Sequence, residues 1–421
     1  MNVGNFIFLS DLELTTFLFA IMLLLVSAHS FAYVFHLLGL PKVIGEISGG
    51  IILGPSILGF FQPDIYKLVF NAFESEGKLI SSIYYFGLVL LMFITGFETQ
   101  RSFNKEDKKI TGVLVSATIF PFLAGWIAPQ YYDFSFFLGE KQNIIALKII
   151  IAISTAVTSI PVISRIFIDL NIMDTRFAKI VLTTATIHDL ILWVALAIAT
   201  GLVNHGGVST TNIIYTVLIT LVFFITMLLI MPRLVNFLTN NRFNFLLKSS
   251  LDGYTLCICL LLVIIAIILH VNIAFGAFLA GIILGPLSND TFKVVQRNIK
   301  RFSLAFFIPI YFSVIGLKLD LIHSFDLSFC VLFLLFSSLF QIGGSFVAVK
   351  LIKLDNLSSF NFAVAMNTRG GPGIVIATIA YDIGIINETL FVTLVIIAII
   401  TSIFAGYWFQ ILLSKGYHLL K

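Results

Sequence analysis

Apolar runs of about 20 residues, the length a helix needs to cross a bilayer, recur from near residue 14 to near residue 414, separated by short polar connectors. With 59% of residues apolar, 11% charged and a mean hydropathy of +1.06, the chain excludes a soluble domain. The fold class is an all-α polytopic membrane protein surrounded by the lipid bilayer. Its formal charge of +4 comes from lysines and arginines in the connectors, so no nucleic-acid partner is indicated. Cys257, Cys259 and Cys330 lie in apolar runs, where buried thiols are expected rather than a metal site or disulfide. Asp11 and Glu13, in place of a basic region, argue against a cleaved signal peptide.

The runs predict thirteen helices, at about 14–38, 43–60, 78–97, 110–128, 144–168, 176–202, 212–232, 250–269, 272–287, 301–317, 327–351, 359–381 and 389–414. Placing the N-terminus outside puts nineteen of the 25 lysines and arginines in cytoplasmic connectors and five in outer ones, with Arg369 inside a helix. That asymmetry sets the expected topology, with the C-terminus cytoplasmic.

Gly50-Ile51-Ile52-Leu53-Gly54-Pro55 recurs letter for letter as Gly281-Ile282-Ile283-Leu284-Gly285-Pro286. Small residues at this spacing often serve only close helix packing, but the surroundings match as well. Leu40–Glu46 and His270–Gly276 share a polar helix start and a glycine six residues before the hexamer's second residue. Asp169–Asp174 is echoed by Asp382–Asn387. Two echoes in the same order indicate an internal duplication. The hexamers fall in the second and ninth helices, an odd number apart, so the copies cross the membrane in opposite directions. The expected organisation is an N-terminal repeat over 1–203, a linker helix and cytoplasmic loop over 204–249, and an inverted C-terminal repeat over 250–421, with no soluble regulatory domain. Many secondary transporters are built this way around a central site.

Ionisable groups inside the hydrocarbon cost several kcal/mol and usually face a cavity, a partner or a substrate path. His188 and Asp189 sit near the centre of the sixth helix and Arg369 within the twelfth. Asp189 reads as a carboxylate that takes either a proton or a small cation, since a carboxyl withdrawn from water holds its proton toward the neutral range. The alternative is a carboxylate neutralised by His188 or Arg369. His188 reads either as a proton carrier or pH sensor or as a hydrogen-bonded packing residue. The fifth and twelfth helices both break their apolar runs with polar residues, Gly and Pro, at Ser154–Pro161 and Asn367–Gly373. A proline removes a donor and frees a carbonyl one turn back, so each helix either kinks or unwinds into two halves. The matching positions favour discontinuous helices lining a site.

Four segments, Leu40–Glu46 through Pro55, Leu90–Glu98, Gly276–Gly281 and Phe307–Leu317, together resemble the monovalent cation:proton antiporter-2 family, the sodium/hydrogen exchanger and Kef-like transmembrane group. The resemblance covers nearly the whole chain. It implies two inverted six-helix repeats, two crossed discontinuous helices, a rigid dimerisation domain and a mobile core domain, hence a homodimer. Asp189 matches the family's ion-binding aspartate. Relatives place Asp, Asn or Gln where His188 stands, many carry an acid at the position of Gly371, and some a lysine where Gln341 falls.

The expected function is exchange of Na⁺ or K⁺ for protons by alternating access. Asp189, with His188 beside it, would carry the proton; Asp189, Thr155, Thr158 and Ser159 would hold the cation. Arg369, Gly370, Gly371, Pro372 and Gln341 would support the helix crossing. One carboxylate without a lysine would move no net charge. A Kef-like gated potassium efflux system with a separate regulatory subunit and an organic-anion carrier of related architecture are the alternatives. No Gly-x-x-x-x-Gly-Lys-Ser/Thr phosphate loop is present, and neither an enzyme nor a cofactor is indicated. The expected location is a bacterial inner (plasma) membrane.

Overall fold

The computed structural model describes residues 8–101, 108–204, 210–239, 244–285 and 290–420. Among these residues the regular elements are helices, with one antiparallel bridge between Leu138 and Ile386. Among the described residues, ten helices are long and apolar enough to cross a membrane by length and composition. The other three of the expected thirteen segments are a short helix, Ile273–Leu284, and two helices broken in the middle. The first broken pair is Ile144–Ala156 and Ile160–Asp169; the second is Asn356–Met366 and Gly370–Asp382.

The largest departure from the expected spans concerns the tenth segment. Its first part begins at Asp290, runs to Ala305 and is followed by Phe307–Leu317. Lys293, Arg297, Lys300 and Arg301 give this stretch the hydropathy of a connector. Yet Phe292, Val295, Gln296, Ile299 and Ser303, mostly three or four residues apart, form one buried face, so an amphipathic helix extends the span. The fourth segment is interrupted at Thr118, between Lys108–Ala117 and Ile119–Ile127. Pro121 explains it, because the missing N–H leaves the Ala117 carbonyl without its helical donor.

The echoed segments adopt the same turn. After Ile160–Asp169, Leu170, Asn171 and Ile172 donate to the carbonyls of Ile166, Ile168 and Phe167; after Gly370–Asp382, Ile383, Gly384 and Ile385 donate to those of Ile379, Tyr381 and Ala380. Asn171 and Gly384 adopt positive φ, 54° and 79°. The turns leading into the hexamer helices repeat the device, with Gly39 at φ 74° and His270 at φ 56° in the left-handed position. Each is a Schellman-type stop that pairs the last helical carbonyls.

Backbone contacts divide the chain into two compact units, Met1–Leu91 with Arg301–His323, and Met92–Lys300 with Ser324–Lys421. In the first unit a Cβ on Gly50 would overlap the Ser313 carbonyl, and one on Gly54 would lie 3.2 Å from Leu317 Cα. In the second, a Cβ on Gly281 would overlap the Phe93 carbonyl and lie 2.9 Å from Gly96 Cα. The hexamer glycines therefore bring helix backbones together, the main source of attraction where lipid weakens the hydrophobic drive. Pro286 lies outside the described residues. The second unit also holds an aromatic cluster in which Phe177 meets Phe362 at 4.8 Å and Phe409 at 5.8 Å between centroids. Cys259 and Cys330 are buried as expected, whereas Cys257 is exposed; its position on the helix turns it outward from the packed face.

Candidate functional site

The site is built in the second unit, where the two broken pairs meet. Asn143 accepts from the N–H groups of Ile145 and Ala146 and starts the first pair. The helix stops at Ala156, and Ser159 restarts it by accepting from Val162 N–H at 3.3 Å. Pro161, lacking an N–H, releases the Val157 carbonyl at the break. In the second pair Pro372 likewise releases the Thr368 carbonyl. That oxygen accepts from Ser159 N–H at 2.6 Å. The proline that breaks one helix thus supplies the acceptor that ties it to the other.

The crossing has two more fasteners. Thr158 Oγ1 donates to the Met366 carbonyl at 2.6 Å, and Gln341 Nε2, from Leu327–Leu351, donates to the same oxygen at 2.9 Å. A helix end buried in a membrane must satisfy its last carbonyls; Thr158 and Gln341 do this for Met366. Arg369 points elsewhere. Its Nη1 donates to Ser337 Oγ at 2.7 Å, its Nη2 to Asn367 Oδ1 at 3.3 Å, and its backbone N–H to Thr401 Oγ1 at 3.4 Å. Gly370 has φ 40°, with Ser159 and Val162 packed where a Cβ would stand, while a Cβ on Gly371 would meet nothing within 4 Å.

Asp189 lies midway along Arg176–Asn204, a helix packed against both halves of the first broken pair. It is 1% exposed, and its Oδ2 has no hydrogen-bond partner. Among the described residues no ion pair joins it to His188 or Arg369. His188 turns to the interrupted fourth segment, its Nε2 sharing a hydrogen bond with Thr118 Oγ1. Its Nδ1 has no partner. Thr155 donates to its own helix, to the Ile151 carbonyl at 2.8 Å. The hydroxyls of Thr155 and Thr158 direct their protons at carbonyls, and Thr158 Oγ1 also accepts from Gln341 Nε2 at 3.5 Å. No hydrogen bond connects Thr155, Thr158 or Ser159 to Asp189 among the described residues. The structure thus holds a buried carboxyl oxygen without a partner on a helix that packs against both halves of the first broken pair.

The profile of the family described as sodium/hydrogen exchanger, transmembrane, matches residues 20–415. The chain belongs to this family. It is thus an integral, multi-pass membrane protein of the sodium/hydrogen exchanger family. It is similar to K(+)/H(+) antiporter 1 of Saccharomyces cerevisiae, with 27% identity over 413 residues, 95% of this chain and 47% of the yeast protein. It therefore spans about half the length of that relative. The Na(+)/H(+) antiporter NhaS4 of Synechocystis is 27% identical over 86% of this chain and 88% of its own length. The Na(+)/H(+) antiporter of Enterococcus hirae is 24% identical over 95% and 99% respectively. The solved structure of the sodium proton antiporter MjNhaP1 from Methanocaldococcus jannaschii superposes with a TM-score of 0.63 at 16% identity, covering 95% of this chain and 98% of that one. The fold is the sodium/proton antiporter fold.

In this member of the sodium/hydrogen exchanger family, two site neighbours escape sequence reasoning. Thr118 is one of three hydroxyl residues in its segment, with Thr111 and Ser116, and stands three residues before Pro121; Ser337 lies four residues before Gln341 and so on the same helix face. Their positions relative to a proline and to a buried amide are the available signals. Replacing Gln341 with Leu is expected to cost about 1–3 kcal/mol, the range for disturbing a buried hydrogen-bonded group. The check is the melting temperature of the detergent-solubilised protein, which should fall.

Proposed function

We propose that this chain exchanges a monovalent cation, Na⁺ or K⁺, for protons by alternating access, with Asp189 binding proton and cation in turn. The observation that carries the reading is the buried Oδ2 of Asp189 with no partner in the protein. A permanent negative charge there would be costly, so the carboxyl has two favourable states, protonated or paired with a cation. Family membership supports exchange chemistry. The names of the yeast and cyanobacterial relatives, one a K(+)/H(+) and the other a Na(+)/H(+) antiporter, support keeping both cations in the substrate class.

The cation ligands would be Asp189 with oxygens of Thr155, Thr158 and Ser159, and the pairing at Thr368 and Met366 would hold the crossing while the site changes sides. His188 would tune the carboxylate's surroundings through Thr118. The repeats, 1–203 and 250–421, would be inverted about the membrane plane, with the N-terminus outside and the C-terminus cytoplasmic. The protein would work as a homodimer in a bacterial inner membrane, with room for a separate regulatory subunit.

The test is dye-monitored proton flux in proteoliposomes, with Na⁺, K⁺ and Li⁺ added in turn. A cation gradient is expected to drive proton movement, and absence of flux with all three would overturn the reading. With one carboxylate, and Gln341 rather than a lysine at the crossing, one cation should exchange for one proton. Clamping the membrane potential at different values is then expected to leave the rate unchanged, and a potential-driven flux would contradict this stoichiometry.

A further inference from the structure

An apolar groove runs along the second unit between the interrupted fourth segment, Lys108–Ala117 with Ile119–Ile127, and Leu327–Leu351. It has two chambers, which share Phe120 and Phe340, a ring pair 5.5 Å apart. The larger, about 760 Å³, extends from Lys109 and Leu351 to that ring pair. Lys109 and Phe120 are eleven residues apart, about 16 Å of helix, or half of a hydrocarbon core about 30 Å thick. The chamber therefore has the depth of one leaflet, is stopped by aromatic rings at its inner end, and carries positive charge at its mouth.

Its floor is lined by small residues, and two of them have no packing role inside the chain. A Cβ on Gly112 or on Gly343 would meet no atom within 4 Å. Glycine weakens a helix interior relative to alanine, so both positions sacrifice helix stability while the protein itself leaves their space unfilled. Leu339, Val347 and Leu351 form an exposed apolar rim. At the mouth, Lys109 lines the chamber together with Leu351, whose neighbour in sequence, Lys350, donates from Nζ to the Leu354 carbonyl. The Asp355 carboxylate just beyond is engaged by Ser358 N–H at 3.1 Å. Lys109 thus offers the complement of an anionic headgroup above a slot for a hydrocarbon chain.

We propose that this groove binds an anionic phospholipid, one acyl chain filling the chamber from Lys109 to the Phe120–Phe340 pair and the phosphate resting against Lys109. The other faces of the same walls hold Thr118 against His188, and Ser337 and Gln341 against the second broken pair. An occupied groove braces the site from behind.

Native mass spectrometry of the full chain in detergent, titrated with dioleoyl-phosphatidylglycerol or dioleoyl-phosphatidylcholine, reads the binding without any ion gradient and so independently of exchange. The wild type is expected to retain phosphatidylglycerol in preference. Lys109→Gln should weaken that binding about fivefold, the effect of one basic residue at an anionic lipid surface. Gly343→Leu should weaken it further by filling the chamber, while Gly343→Ala, which leaves most of the space, should bind nearly as the wild type does. Equal retention of the two lipids by the wild type, or unchanged phosphatidylglycerol binding in Lys109→Gln, would overturn the proposal whether or not Gly343→Leu folds.

Discussion

Asp189→Asn is expected to abolish cation-driven proton flux while leaving the protein folded. The two halves of this outcome have separate causes. An amide cannot release a proton in the neutral range, and it offers a cation no compensating charge in a region where an unpaired charge costs several kcal/mol. Since each 1.36 kcal/mol is a factor of ten, the rate should fall by on the order of 100-fold or more, to that of protein-free vesicles. The fold is less affected, because Oδ2 makes no hydrogen bond that the substitution removes. A melting temperature close to the wild type separates loss of chemistry from loss of structure. Competition at one carboxylate also predicts a pH effect in the wild type. As pH falls, protons hold the site, so the cation concentration for half-maximal rate rises while the maximal rate at saturating cation changes little. Retained flux in Asp189→Asn, or a half-maximal concentration indifferent to pH, would place the exchange site elsewhere.

Much of this fold can be read from the sequence because a bilayer leaves few choices. Each crossing must be apolar and about 20 residues long, so thirteen segments are countable, and proline at mid-membrane marks both breaks. The tenth segment resists for the converse reason. Its first turns are amphipathic, with Lys293, Arg297 and Lys300 alongside the buried Phe292, Val295 and Ile299, and averaging hydropathy hides a face. The site is legible only in part. Asp189, His188, Arg369 and Gln341 stand out as polar groups in apolar helices, but their partners are fixed by tertiary geometry. Nothing in the local sequence states that Gln341 meets the Met366 carbonyl, that Arg369 turns to Ser337, or that His188 holds Thr118. A pairing of Arg369 or His188 with Asp189 is equally compatible with the composition of these helices. Among the described residues neither pairing is formed.

Gly370→Ala and Gly371→Ala, one residue apart, are expected to differ sharply. Gly370 sits at φ 40°, a conformation that costs an L-residue roughly 1–2 kcal/mol. Its new methyl would also lie 2.6 Å from Ser159 Oγ and overlap Val162. Ser159 cannot yield without consequence, since its hydroxyl caps Val162 N–H and its own N–H makes the bond to the Thr368 carbonyl that joins the two broken helices. Losing such a cap costs about 1 kcal/mol. Strain, overlap and cap loss therefore fall on one point of the crossing, and the expected sum is about 2–4 kcal/mol, with a lower melting temperature and little remaining exchange. Gly371 faces open space, and alanine there should stay within about 0.5 kcal/mol of the wild type. A transport assay and a thermal melt on the pair separate two roles for the Gly-Gly sequence. If both variants fail, the segment needs general backbone freedom during the transport cycle; if only Gly370→Ala fails, the requirement is for close contact at the crossing itself, as the packing of Ser159 and Val162 predicts.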